Sequence, residues 1–413
     1  MRAAPAIALA LVCACADEPA ETEDTAGSSG ASTEESSTGG AEATGAPPSD
    51  TTSSPDPSES DGPSEGSDSS GGDSGSSTDD GTTGGPPEGA VPMFVALGQG
   101  ARTMVSCDDG MTWVHDTNVV DDNDDHGVYS SRGLTYGDGV FIAAVGWGNP
   151  GSMRVSLDGA AWTETFPSAD VVPSGMVGVA FGGGTFVGVE GDTPWISTDS
   201  GETWASGEDI PNFDNLRVVG YSGYDGGRFY AAGDAGQLFA SADGGQTWQP
   251  PQSVGGGGCN GGNLTRRGGV VGTDALFVVV TDAGLSCRTD DGGETFTIHE
   301  LSPGEAGTVV SGDVVWTGQQ FYASSQGRGF FSDDAMSWTE VQYSLPNASV
   351  RKLAVSPDTG TFVGFERDGA TFYRSTDGEQ WVELPPEAAG PGTDITQVVY
   401  GYGTPTAECP APG

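Results

Sequence analysis

Three observations predict an all-β chain folded as a seven-bladed β-propeller. One short motif returns seven times, four strand-like segments fill each interval, and the first and last segments complete each other. The motif, Ser-x-Asp-x-Gly-x-Thr-Trp, reads Ser106-Cys-Asp-Asp-Gly-Met-Thr-Trp113, Ser156-Leu-Asp-Gly-Ala-Ala-Trp162, Ser197-Thr-Asp-Ser-Gly-Glu-Thr-Trp204 and Ser241-Ala-Asp-Gly-Gly-Gln-Thr-Trp248. Looser copies follow at Thr289-Asp-Asp-Gly-Gly-Glu-Thr-Phe296, Ser332-Asp-Asp-Ala-Met-Ser-Trp338 and Ser375-Thr-Asp-Gly-Glu-Gln-Trp381. Their first residues lie 50, 41, 44, 48, 43 and 43 apart. A period of roughly 45 residues with four short strands per unit is the pattern of a propeller blade.

Blade 3 shows the unit most clearly. Gly178-Val-Ala-Phe181, a glycine turn, Thr185-Phe-Val-Gly-Val189, a second turn, Pro194-Trp-Ile-Ser197, the motif, then Thr203-Trp-Ala205 give strands A to D from the axis outward. Strand B recurs as Phe94-Val-Ala-Leu97, Phe141-Ile-Ala-Ala144, Phe229-Tyr-Ala-Ala232, Phe277-Val-Val-Val280, Phe321-Tyr-Ala323 and Phe362-Val-Gly-Phe365. The folded part opens on a B strand at Met93 with no A strand before it. It closes on Ile395-Thr-Gln-Val-Val-Tyr400, an A strand with nothing after it. The last strand is therefore expected to supply the innermost strand of blade 1, which removes open sheet edges. Four cysteines follow the leader and allow three pairings. Closure brings Cys409 toward the C–D turn that holds Cys107, so the expected bridges are Cys107–Cys409 and Cys259–Cys287.

The segments before the propeller read differently. Arg2 precedes an apolar stretch too short to span a bilayer, which takes roughly 20 helical residues. It ends in Val12-Cys13-Ala14-Cys15, which resembles a bacterial lipobox and implies lipidation at Cys15. Residues 1–14 are read as a signal peptide, 15–89 as a disordered tether, 90–405 as the propeller and 406–413 as a tail. Residues 16–89 hold 18 acidic residues and no Lys or Arg, among Ser, Thr, Gly and Pro. Such a composition buries too little apolar surface to offset its ordering entropy. A flexible coil of that length spans about 50 Å.

The formal net charge is −45, and residues from Met93 onward carry 41 acids against 13 bases. This excludes nucleic acid, which is bound through Lys and Arg on phosphate, and leaves the lipid anchor as the membrane attachment. A monomer at the outer membrane or cell surface is expected, with a periplasmic or secreted protein as the alternative.

The seven motifs closely resemble the Asp-box, or BNR repeat, of sialidases, sortilin-type receptors, xyloglucan hydrolases and photosystem assembly factors. The resemblance covers nearly all of residues 93–403. It implies structural roles for Asp108, Asp158, Asp199, Asp243, Asp291, Asp334 and Asp377, which cap the C–D turn while Gly accepts positive φ. It does not carry sialidase activity, because Pro92-Met-Phe-Val-Ala-Leu97 lacks the arginine motif of those enzymes. Arg217 and Arg351 start A strands, with no third arginine evident to join them.

A ligand site is expected on the face of the B–C and D–A loops. Asp121, Asp122, Asp124 and Asp125 have the oxygen chemistry for calcium, but no EF-hand spacing, and a solvated acidic loop is the competing reading. Trp147, in a B–C loop, suits stacking on a sugar, with Tyr129 and Arg132 nearby in sequence; packing under its own loop is the alternative. The expected function is non-catalytic recognition of a carbohydrate or an extracytoplasmic protein. The alternatives are a glycoside hydrolase, which needs two carboxylates about 5–9.5 Å apart, and an envelope assembly or structural factor.

Overall fold

A computed structural model describes residues 86–98, 102–118, 131–146, 151–166, 175–176, 178–211, 216–233, 238–250, 253–254, 269–281, 283–305, 311–366, 371–384 and 395–411. Cys15, the signal peptide and residues 15–85 of the expected tether lie outside them. The fold is the expected seven-bladed β-propeller. Blade 1 runs Ile395–Gly403, Val91–Gly98, Arg102–Ser106 and Val114–Asn118 from the axis outward, so the chain's last strand is its innermost. It lies antiparallel to Val91–Gly98, with Phe94 opposite Tyr400. Blades 2 and 3 run Ser131–Gly137 to Thr163–Glu164 and Gly178–Gly182 to Ala205–Ser206; blades 6 and 7 run Ser311–Trp316 to Thr339–Gln342 and Lys352–Val355 to Val382–Glu383. The innermost strands contact one another in an unbroken cycle, Lys352–Val355 meeting Ile395–Gly403.

Blades 4 and 5 depart from the four-strand unit. Blade 4 keeps Leu216–Ser222, Arg228–Gly233 and Leu238–Ser241, and its fourth position shrinks to a single bridge between Ala240 and Gln249. Gln249 is followed by Pro250 and Pro251. Proline has no N–H to continue a ladder, so the strand stops there. The chain then adds Ser253–Val254 as a fifth, parallel strand on the outer edge of blade 5, beside Thr295–Glu300.

The apolar core sits between blades rather than at one centre. Phe94, Met104 and Trp113 of blade 1 pack with Val363, Phe365 and Phe372 of blade 7. Val187, Val189 and Ile196 of blade 3 pack with Phe229, Phe239 and Trp248 of blade 4. Near the axis, five innermost strands carry an aromatic residue opposite the first Phe of strand B: Tyr136, Phe181, Tyr221, Trp316 and Tyr400. Their rings meet those phenylalanines at 4.9, 4.5, 5.0, 4.7 and 5.1 Å.

The C–D turns join each blade to the one before it. In blade 3 the Ser197 hydroxyl accepts the Gly201 N–H at 2.9 Å and donates to Asp199 at 2.8 Å. Asp199 also accepts the Thr203 N–H and hydroxyl. The Trp204 indole donates to the Gly201 carbonyl at 3.1 Å, and its ring packs against Phe166 of blade 2. Two turn classes emerge that the shared motif conceals. Blades 1, 3, 4 and 5 place two successive residues at positive φ, such as Ser200 at 58° and Gly201 at 80°. Blades 2, 6 and 7 are one residue shorter and use one, Gly159, Ala335 or Gly378. The shorter turns have no threonine hydroxyl on the aspartate, which there accepts the motif serine hydroxyl and two backbone N–H groups.

Ring closure has its own fastenings between blades 7 and 1. The Asp109 carboxylate accepts the hydroxyls of Thr359 and Thr361 at 2.7 and 2.6 Å and the Arg374 guanidinium. Asp358 accepts the hydroxyls of Tyr400 and Tyr402, both at 2.7 Å. Cys107 and Cys409 form a disulfide across 302 residues, with Cα atoms 5.7 Å apart. Cys287 is buried and disulfide-bonded, while Cys259 lies outside the described residues.

Two predictions follow from the turns. A Cβ on Gly245, at φ 90°, would lie 2.8 Å from Val187 Cγ2, whereas one on neighbouring Gly244, at φ 72°, meets nothing nearer than 4.0 Å. Gly244→Ala should cost about 1 kcal/mol for its left-handed backbone. Gly245→Ala should cost about 3 kcal/mol, because overpacking against blade 3 is added. Denaturant titration of both variants separates the two terms, and equal losses would refute the interblade contact.

The second concerns acid. The Thr203 hydroxyl foremost, with its N–H and Ser197, holds Asp199 below the usual carboxylate range. For Asp243 and Asp291 burial pushes upward, but the hydrogen bonds from Thr247 and Thr295 together outweigh it. These folded-state values lie below the unfolded value of about 3.9. Their stabilisation is complete above that pH and is lost as pH falls through the lowered values. A combined Thr203→Val, Thr247→Val, Thr295→Val variant should therefore lose less stability than the parent between pH 5 and pH 2.5, followed by denaturant midpoints.

Candidate functional site

The two faces of the ring are built differently. On one, A–B connections run from two residues, Asp138-Gly139 and Gly183-Gly184, to six in blade 7, and the C–D turns use their polar side chains on their own backbone. On the other, the chain crosses between blades through the intervals Asn118 to Ser131, Glu164 to Gly178, Val254 to Gly269 and Glu383 to Ile395. Trp147, Tyr129, Asp121, Asp122, Asp124 and Asp125 lie outside the described residues. Arg132 is the second residue of Ser131–Gly137, the innermost strand of blade 2.

Where the innermost strands begin, at the loop face, the ladders carry β-bulges. In blade 2, Ser131 pairs with Val145 and Gly133 with Ala144, leaving Arg132 as the extra residue. In blade 4, Leu216 pairs with Gly233 and Val218 with Ala232, leaving Arg217. In blade 6, Gly312 and Asp313 together face Ser324. In blade 1, Thr396 is extra between Ile395 and Gln397. In blade 7, the Arg351 N–H donates at 2.8 Å to the carbonyl of Phe365, the residue already opposite Lys352. Bulges bend a strand and re-aim side chains, and they recur beside functional sites.

The blade 6 bulge shows what such a position reaches. Asp313 Oδ2 lies 3.8 Å from Nζ of Lys352, the chain's single lysine, on blade 7. On the other side, a Cβ on Gly269 of blade 5 would lie 1.9 Å from Asp313 Oδ1. The bulge residue thus touches the innermost strands on both sides. Burial raises the Asp313 pKa, against the pull of Lys352 and the N–H groups of Val314 and Leu353. Arg351, half-buried, donates Nε–H to the Ser349 hydroxyl at 3.0 Å.

A concavity of about 640 Å³ lies between the C–D turns of blades 6 and 7. Asp333, Asp334, Asp377, Glu379 and Phe331 are among its lining residues. Its aspartates at 334 and 377 already cap their own turns. Among the described residues no group of three or more His, Cys, Asp or Glu is placed to hold a metal ion.

The Asp313–Lys352 pair yields a prediction. Removing one partner of a fully buried pair costs about 3–5 kcal/mol. With 17% and 25% of the two side chains exposed, Lys352→Met should cost about 2 kcal/mol at pH 7. A carboxyl with a raised folded-state pKa binds its proton more tightly when folded, so this deficit should shrink as pH falls from 7 to 5. Thermal melts at both pH values check the magnitude and the sign.

No family model matches the chain, and no curated protein matches it in sequence. Solved structures resemble it in shape. One is a protein of unknown function from Desulfotomaculum acetoxidans, 10% identical, with a TM-score of 0.51 over 74% of this chain and 99% of that one. Another is the β-propeller domain of Cps50 (Swd1) from Myceliophteria thermophila, 10% identical, with a TM-score of 0.49 over 65% and 89%. A third is YCF48 bound to a D1 peptide, 15% identical, with a TM-score of 0.48 over 64% and 85%. At these identities the likeness bears on fold alone, and the propeller itself is read from the strand order of the blades.

Proposed function

We propose that this chain is an exported Asp-box propeller, lipid-anchored at Cys15 and held off the membrane by its acidic tether, that recognises a ligand on its loop face without chemistry. The asymmetry between the two faces carries this reading. On the turn face, polar side chains are consumed in holding the turns, and no connection exceeds seven residues. The opposite face has the longer connections, which differ from blade to blade, and bulged strands beneath them. Rigid scaffolds with variable connections on one side are how binding surfaces are commonly made. A glycan is the preferred ligand, with Trp147 as the stacking residue and Tyr129 and Arg132 as polar neighbours. Asp121, Asp122, Asp124 and Asp125 are the proposed calcium ligands if binding needs the metal.

The test is a glycan array run with the full chain in calcium and in chelator. Binding to one sugar class is expected, weakened at least tenfold by Trp147→Ala. Sensitivity to chelator assigns the acidic loop a metal. A folded protein that binds no glycan would overturn the carbohydrate reading and turn the search to protein partners.

A further inference from the structure

One place on the C strand differs between neighbouring blades. The residue before the first motif residue lies opposite the second residue of strand B. It is Arg288 in blade 5, Phe331 in blade 6 and Arg374 in blade 7. Both arginines carry a guanidinium to turn carboxylates. Arg374 donates Nε–H to the Asp109 carbonyl at 2.7 Å and Nη2–H to the Asp109 carboxylate, on the turn of blade 1. Arg288 Nη2 lies 2.7 Å from Asp290 of its own turn. Asp334, on the turn of blade 6, is held below the usual carboxylate range chiefly by the Ser337 N–H and in part by the Arg288 charge. The Arg288 guanidinium thus serves two carboxylates, one from each turn.

One junction further on, that pair of carboxylates recurs and the arginine place is Phe331. Only blades 5 and 6 have an acid as the second motif residue, Asp290 and Asp333. Asp377 is the blade 7 counterpart of Asp334. Asp333, Asp334, Asp377 and Glu379 line the concavity of about 640 Å³, and no Lys, Arg or His does. Small-ligand sites have volumes of roughly 300–1,000 Å³. Phe331 lines it as well, with Tyr322 packed on its ring at 4.8 Å. Asp377 uses Oδ1 for the Ser375 hydroxyl and the N–H groups of Glu379 and Gln380. Among the described residues no three of these carboxylates converge as metal ligands do.

We infer that this concavity binds the guanidinium group of a ligand, stacked on Phe331 between Asp333 and Asp377, the counterparts of the pair that flanks Arg288. The site lies on the turn face and is independent of the loop-face reading above. The molecule supplies its own template, since the equivalent place holds a guanidinium in the blade on either side. A planar guanidinium stacks on an aromatic ring and forks onto a carboxylate, whereas an ammonium is a compact, strongly hydrated point charge. The attraction is electrostatic and close to the surface, so salt screens it over about 10 Å at 0.1 M.

The experiment titrates the full chain with N-acetyl-argininamide, its uncharged isostere N-acetyl-citrullinamide, N-acetyl-lysinamide and agmatine, by ligand-observed NMR at 50 and 500 mM NaCl. Argininamide is expected to bind, more weakly at the higher salt, with citrullinamide at least tenfold weaker and lysinamide severalfold weaker. Agmatine binding tighter than argininamide identifies a free guanidino compound as the source, and the reverse order an arginine within a peptide. Asp333→Asn should weaken argininamide about tenfold, as losing one charge-assisted hydrogen-bonded pair does. Phe331→Leu should remove the preference for argininamide over lysinamide. Phe331→Arg places the chain's own guanidinium there, as in blades 5 and 7, and should abolish binding. Glu202→Gln, an exposed acid on the turn of blade 3, should bind as the parent does. Where Phe331→Arg fails to melt cooperatively, Asp333→Asn and Phe331→Leu decide instead. Equal binding of argininamide and citrullinamide would overturn the site, as would no binding by any of the four. Equal binding of argininamide and lysinamide, unchanged by the Asp333 and Phe331 variants, is general attraction to an acidic body and would overturn it too. None of these outcomes bears on glycan recognition at the loop face.

Discussion

The structure depends on one pairing, that of the chain's last strand with its first. Ile395–Gly403 lies against Val91–Gly98, and only then does blade 1 have an inner edge for blades 7 and 2 to meet. Because the apolar clusters lie between blades, a gap at this seam would expose the faces on both sides of it. Bringing residues about 300 apart into register carries a loop-closure cost that grows slowly with length. Against that cost stand a long antiparallel ladder, the Asp109 bonds to Thr359, Thr361 and Arg374, the two tyrosine hydroxyls on Asp358, and a disulfide. A cross-link over so long a loop removes more unfolded-state entropy, in the chain-entropy model, than one within a blade.

Around the rest of the ring the C–D turn performs the equivalent task. Its glycine comes so close to the preceding blade that a side chain would intrude: 2.4 Å from Val363 at Gly110, and 2.5 Å from Val95 at Gly159 and from Ile142 at Gly201. The motif serves less to decorate a blade than to dock it. Blade 6 shows the tolerance of the arrangement, since Ala335 occupies the glycine place at φ 56° and is fully buried.

Much of this was legible in the sequence because its signals are local. Ser, Asp, Gly and Trp at fixed offsets define the turn, and an unmatched B strand at one end with an unmatched A strand at the other defines the closure. The two turn classes were harder to read, since they differ by one residue inside a motif already loose. Blade 4 lost its outer strand to Pro250-Pro251, a signal that was present and outweighed by the repeat. The bulges were invisible. An extra residue is defined only by its partner strand, and Ser130-Ser131-Arg132-Gly133 shows no strand alternation of its own. The equivalence of Arg132 to Arg217 and Arg351 emerged only from the register. Trp147, Tyr129 and the acidic run at 121–125 lie outside the described residues, so the expected ligand side chains are the part of the site that rests on sequence alone.

Placing the innermost strand of the first blade at the end of the chain also fixes an order of events during synthesis. Blades 2 to 6 have all their strands while the polypeptide is still being extended. Blade 1 lacks its inner edge until residues 395–403 have emerged, and Cys107 has no Cys409 to meet before the final few residues. Until then a nascent chain can hold an open arc of blades but not the ring. The ring therefore closes only once residues 395–403 have joined the blades made before them, in whatever compartment those residues have by then reached.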